Sequence, residues 1–109
     1  MTDITIIKDS SGSYKGFICH GHAGFADYGD DIVCSAISVL TINTINSINE
    51  FTSDQMDVSQ DEEEGLITCF FKDGISHDSE ILMKSYELGI NGIYRQYGEE
   101  FLNIKFEEV

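Results

Sequence analysis

The sequence predicts an α+β domain in the order β-β-α-β-β-α-β, a mixed sheet with two helices packed on one of its faces. Three observations carry that prediction. Two pairs of short runs rich in β-branched and aromatic residues are each joined by a turn signal. Each pair is followed by a long apolar-periodic stretch. One further strand-like run closes the chain. At 109 residues, 41% of them hydrophobic, the chain fits one domain, 1–109, with a single core.

The elements follow in order. Ile4, Ile6 and the intervening Thr5, with Ile7, form a first strand of β-branched residues. Asp9-Ser10-Ser11-Gly12 is a turn, and Tyr14 to His20 returns as the second strand of a hairpin. Phe17 and Cys19 share one face of that strand; Ile18, His20 and, by continuation, His22 share the other. A loop from Gly21 to Asp30 carries glycines 21, 24 and 29 and is expected to be mobile. A helix then runs from Asp31 to about Asn49, with Asp30 or Asp31 as its N-cap. Its apolar residues surround most of its circumference, which implies burial on more than one side.

Met56 to Gln60 reads as a third strand, Asp61-Glu62-Glu63-Glu64 as a solvated turn, and Leu66 to Lys72 as a fourth strand apolar on both faces, hence interior. A second helix starts at Ser76 to Asp78 and reaches Tyr97, with Gly98 as its stop. Ile81, Leu82, Ser85, Leu88, Gly89, Gly92 and Ile93 are expected to form its core stripe. Each glycine costs helix propensity of ~1 kcal/mol, offset if the two helices approach closely there. Tyr86, Ile90, Tyr94 and Tyr97 then point away from the core and form an aromatic row suited to a partner surface. Phe101, Leu102, Ile104 and Phe106 make the last strand.

Charge narrows the partners. Six Lys and Arg stand against twenty Asp and Glu, a formal net charge of -14 that repels nucleic acid and steers a basic protein inward. Solubility alone accounts for such acidity equally well. No apolar run is long enough to cross a bilayer, and the start MTDITIIKD lacks a signal-peptide pattern, so no membrane role and a cytoplasmic setting are expected. Three cysteines without a C-x-x-C pair fit a reduced compartment rather than a disulfide framework or zinc ribbon.

Chemistry concentrates in residues 21 to 40, GHAGFADYGDDIVCSAISVL. Cys34, near the start of a helix, is placed where backbone N–H groups and the helix dipole favour a thiolate. His22, at the end of the second strand, can fold back to take the thiol proton and later protonate a leaving amine. Free N–H groups at the helix end offer an oxyanion hole. Asp31 fits two roles, orienting the histidine or capping the helix. Ser38, one turn beyond Cys34, can hydrogen-bond within the site or simply pack. Cys19 and Cys69 read as packing residues, a role open to Cys34 as well. His20, His22 and Cys34 could alternatively ligate a metal, but a fourth ligand is not evident, so neither metal nor cofactor is expected. His77 reads as a surface residue at the second helix start.

The same stretch resembles the ribosomal-processing cysteine proteases of Firmicutes and related bacteria. Their recurring pattern, close to G-H-A-G…G-x-D-I-V-C-x-A-x-S, falls here on Gly21, His22, Ala23, Gly24, Gly29, Asp31, Ile32, Val33, Cys34, Ala36 and Ser38. The sequence departs from relatives at Asp30 and Ser35, neither of which removes the chemistry. The resemblance implies a cysteine endopeptidase with His22 and Cys34 as its catalytic pair. Asp31, Ser38 and Gly21 would support the pair, and Gly24 and Gly29 would lie in a flexible loop covering the site. It implies removal of a short N-terminal extension from a large-subunit ribosomal protein, cut after an aromatic residue to expose a lysine-rich terminus. It also implies a homodimer. The acidic Asp27, Asp30 and Asp31 suit a substrate with a basic flank. Two competing classes are a non-catalytic ribosome-associated binding module and a thiol-redox enzyme. The first has no need of an activated thiolate, and the second needs a resolving cysteine.

Overall fold

A computed structural model describes the backbone of residues 1–21 and 28–109 and the side chains of 1–21 and 32–109. The order is β1 (Thr2–Lys8), β2 (Tyr14–His20), α1 (Tyr28–Phe51), β3 (Met56–Asp61), β4 (Leu66–Phe71), α2 (His77–Tyr97) and β5 (Leu102–Glu108). The five strands form one sheet in the order β3-β4-β2-β1-β5, with β5 parallel to β1 and the other pairs antiparallel. This is the predicted α+β architecture. The β1–β2 turn forms because Asp9 Oδ1 accepts hydrogen bonds from the Ser11 and Ser13 amides, and Gly12 supplies the positive φ of 85°.

Alternation along the strands builds the core. Ile4 and Ile6 of β1, Phe17 and Cys19 of β2, and Ile67, Cys69 and Phe71 of β4 share the buried face beneath the helices. Residues 32–51 of α1 are long and apolar enough to cross a membrane, contrary to the expectation that no such run exists. Here, though, Val33, Ile37, Thr41, Thr44 and Ile48 of that stretch are buried in the core cluster or beside it. It is the helix that lies on the sheet. Its inner side meets the sheet and α2, while Ile32, Val39, Ile42 and Phe51 are exposed.

Helix α2 begins and ends as predicted. The Ser76 side chain accepts from the Ser79 amide at the N-cap, and Gly98, at φ 88°, returns its N–H to the Tyr94 carbonyl. Its rotation differs from the prediction. Ser79, Met83, Tyr86 and Ile90 are buried, whereas Ile81, Ser85 and Leu88 are exposed. Apolar residues lie on both sides of this helix, and the competing stripe won because the Tyr86 hydroxyl finds a buried partner. Of the two glycines expected at the helix crossing, Gly89 meets the role: a methyl group there would stand 2.6 Å from Leu40 Cδ2. A methyl group at Gly92 would meet no described atom within 4 Å, so Gly92 is not part of the crossing.

Candidate active site

Helix α1 starts at Tyr28, ahead of the Asp30 or Asp31 cap expected from sequence. Asp30 and Asp31 therefore occupy the first turn, where carboxylates are favoured by the helix dipole as readily as at a cap. Gly29 is likewise in that turn and not in a loop. The consequence for Cys34 is direct. It lies in the second turn, where its own N–H enters the i→i−4 ladder, and the unpaired amides sit a turn away. The helix-end argument for its thiolate and for an oxyanion hole beside it is correspondingly weaker.

What Cys34 does have is a hydroxyl. Thr2 Oγ1 lies 3.3 Å from Cys34 Sγ, with both side chains buried. Thr2 opens β1, and its N–H donates to the Phe101 carbonyl at 3.0 Å. Nothing in the local sequence signals this contact, which spans thirty-two positions. Gly21 closes the same corner from β2. It holds a φ of 110°, and any Cβ would run into the Met1 carbonyl oxygen and stand 3.3 Å from Thr2 Cα. Only glycine fits that approach. The chain thus leaves β2 pressed against Thr2, the residue that touches Cys34.

The other predicted residues separate clearly. Burial pushes the Cys19 thiol up to about 11, with the hydrogen bond to Thr41 opposing the shift. Burial likewise pushes Cys69 up to about 11. Both stay protonated near neutral pH and pack in the core, as expected from sequence. Ser38 is half-buried one turn past Cys34. His20 is exposed on the face of β2 opposite Cys19, and α1 lies on the Cys19 side, so His20 and Cys34 are not brought together. Among the described residues no group of three potential metal ligands is assembled. His22, Gly24 and Asp27 lie outside the described residues, as do the side chains of Asp30 and Asp31.

Against this corner, comparison with known proteins is decisive. The family model described as cysteine protease Prp matches residues 1–102. The chain belongs to the Prp family of cysteine proteases. The ribosomal processing cysteine protease Prp of Staphylococcus aureus is 26% identical over 106 residues, covering 96% of this chain and 100% of that one. The crystal structure of S. aureus Prp with a substrate peptide superposes with a TM-score of 0.92 at 22% identity, over 98% of this chain and 100% of that chain. A Streptococcus mutans protein superposes with a TM-score of 0.86 at 26% identity, over 100% and 96% of the two chains. The Prp fold therefore spans the whole sheet and both helices, and this chain is a cysteine protease.

Proposed function

We propose that Cys34 and His22 form the catalytic dyad of a cytoplasmic endopeptidase that removes the N-terminal extension of a basic large-subunit ribosomal protein, cutting after an aromatic residue. The observation that carries this reading is the corner where Gly21 presses on Thr2 and Thr2 touches Cys34 Sγ. Gly21, the residue before His22, thereby packs on the residue that touches the thiol, which supports the pairing. Cys19 and Cys69 pack in the core as protonated thiols, which supports Cys34 over them as the nucleophile. The relatives from S. aureus are ribosomal processing proteases, and one crystal structure of that enzyme carries a covalently linked product peptide. A covalent acyl-enzyme route suits such a pair.

In that route His22 takes the Cys34 proton as sulfur attacks the scissile carbonyl carbon, giving a tetrahedral oxyanion. The intermediate collapses to a thioester as the imidazolium gives its proton to the leaving amine. Water, deprotonated by the same imidazole, then hydrolyses the thioester and restores the thiol. Asp31 orients the imidazole and Ser38 hydrogen-bonds within the site. The enzyme works as a homodimer.

The test is cleavage of a peptide with an aromatic residue before the scissile bond and lysines after it. Cys34→Ala and His22→Ala are expected to abolish cleavage in folded protein. Cys19→Ala and Cys69→Ala should keep it, with a packing penalty of ~1–3 kcal/mol. Cleavage that survives Cys34→Ala but not Cys69→Ala would overturn the assignment.

A further inference from the structure

Thr2 has no place in the motif that identifies the nucleophile, yet among the described residues its side chain is hydrogen-bonded to it. Its Oγ1 lies 3.3 Å from Cys34 Sγ in a pair that is buried on both sides. The backbone around it is held three ways. The Thr2 amide donates to the Phe101 carbonyl, its register partner on β5 is Leu102, and Gly21 packs on its Cα. A β-branched side chain on so constrained a strand keeps its rotamer, so the hydroxyl stays at the sulfur.

We propose that Thr2 is a positioning residue for Cys34, donating its hydroxyl hydrogen to Sγ when the thiol proton has left and holding the thiolate in readiness for attack. While the thiol is protonated, either atom can be the donor. Once the sulfur is an anion it can only accept, and the hydroxyl turns to donate. A hydrogen bond to a charged acceptor is the stronger of the two, so the contact holds the sulfur most firmly in the form that attacks. The dipole effect of α1 fades beyond its first turn, and Cys34 lies in the second. Thr2 supplies from β1 the stabilisation that the helix end delivers only weakly.

The catalytic consequence rests on Cys34 being the nucleophile, but the pairing can be read on the thiol itself. The experiment is iodoacetamide alkylation of the full chain at one fixed pH near neutral, resolved by mass spectrometry so that Cys34 is followed apart from Cys19 and Cys69. Thr2→Val keeps the shape and removes the hydroxyl; Thr2→Ser keeps the hydroxyl and removes a methyl. Thr2→Val is expected to slow Cys34 alkylation about tenfold. Thr2→Ser should react at the parent's rate. In cleavage, Thr2→Val should lower kcat with KM unchanged. Thr2→Ala repeats the comparison should the valine disturb folding. An unchanged Cys34 alkylation rate in both hydroxyl-free variants overturns the inference, as does Thr2→Ser slowing as far as Thr2→Val, which would mark a packing role. Cleavage that survives Cys34→Ala would overturn the nucleophile assignment instead, and the alkylation rates would still decide the Thr2 pairing.

Discussion

Thr41 Oγ1 lies 2.9 Å from the Tyr86 hydroxyl, a fully buried bond from α1 to α2. The Tyr86 ring also packs on Phe17 of β2, with centroids 4.7 Å apart and planes tilted by 37°. One side chain therefore joins both helices to the sheet. Thr41 has an alternative that Tyr86 lacks: a helical threonine hydroxyl can turn to the carbonyl one turn back, as Thr44 does to Leu40 at 2.8 Å.

The first prediction follows from that asymmetry. Thr41→Val strands the Tyr86 hydroxyl in the core and should destabilise the protein by ~1–3 kcal/mol in urea unfolding. Tyr86→Phe should cost less, because the Thr41 hydroxyl can turn to the backbone of its own helix. The double variant should cost less than the two single changes together, since the unsatisfied group is then gone as well. Additive costs would show that the two hydroxyls do not depend on each other.

A second prediction concerns acid. Asp54 Oδ2 accepts from the Ser76 amide at 3.0 Å and the Ser76 hydroxyl at 2.6 Å, and also from the Ser79 hydroxyl. The Ser76 and Ser79 side-chain bonds, with the Ser76 amide, hold the Asp54 carboxyl below the ordinary 3.8. A lowered folded-state value means stability that is present above 3.8 and is lost as pH falls through the folded value. Asp54→Asn should therefore flatten the acid limb of urea midpoint against pH and leave the shape of the profile between pH 6 and 8 (about neutral) unchanged. An acid limb as steep as the parent's would assign that sensitivity to other carboxylates.

Much of this was legible because local chemistry decides local structure. Asp9 and Gly12 announce a turn, Ser76 and Gly98 bracket a helix, and Cys34 stands out by its motif. The rotation of α2 was not legible. Ile81 and Leu88 are as apolar as Met83 and Ile90, and the side that faces inward is settled by Tyr86 finding Thr41 forty-five positions away. The start of α1 was misread because Asp30 and Asp31 suit a first turn as well as a cap. Thr2 was invisible for the same reason as Tyr86: its partner is distant in sequence, and a threonine in a strand is otherwise unremarked.

The third prediction relocates the partner surface. With Tyr86 and Ile90 in the core, the expected aromatic row does not lie on the surface. Val39 and Leu88, about 70% and 68% exposed, each neighbour a residue of the Leu40–Gly89 crossing. Such side chains on adjoining helices are a candidate two-fold contact. Leu88→Glu is expected to shift the protein from dimer to monomer in sedimentation at micromolar concentration while thermal unfolding remains cooperative. A parent protein that sediments as a monomer would remove the proposed homodimer altogether.

The last prediction concerns how the proposed basic substrate would be chosen. Burying the proposed aromatic side chain before the cut would supply ~1.5–3 kcal/mol, too little alone to select one protein among many. Charge must add to it, and the fold places charge usefully. Asp61 pairs with Leu66 across the β3–β4 turn, and Leu66 pairs with His20, which in turn faces Asp3. The exposed turn 61–64 therefore stands at the same end of the sheet as Gly21 and the Thr2–Cys34 corner. Within the turn Asp61 Oδ1 accepts from the Glu63 and Glu64 amides and so shapes it. Glu62, Glu63 and Glu64 can be changed to glutamine with Asp61 left in place. Attraction between these charges and lysines after the cut is screened over ~8 Å at physiological ionic strength. Cleavage efficiency should fall with added salt for a peptide that keeps its lysines. That fall should flatten both when the lysines become alanines and when the three glutamates become glutamines. Replacing the aromatic residue should instead lower activity equally at every salt concentration. A salt response that survives removal of the lysines would separate the net charge of -14 from substrate choice and leave it to solubility.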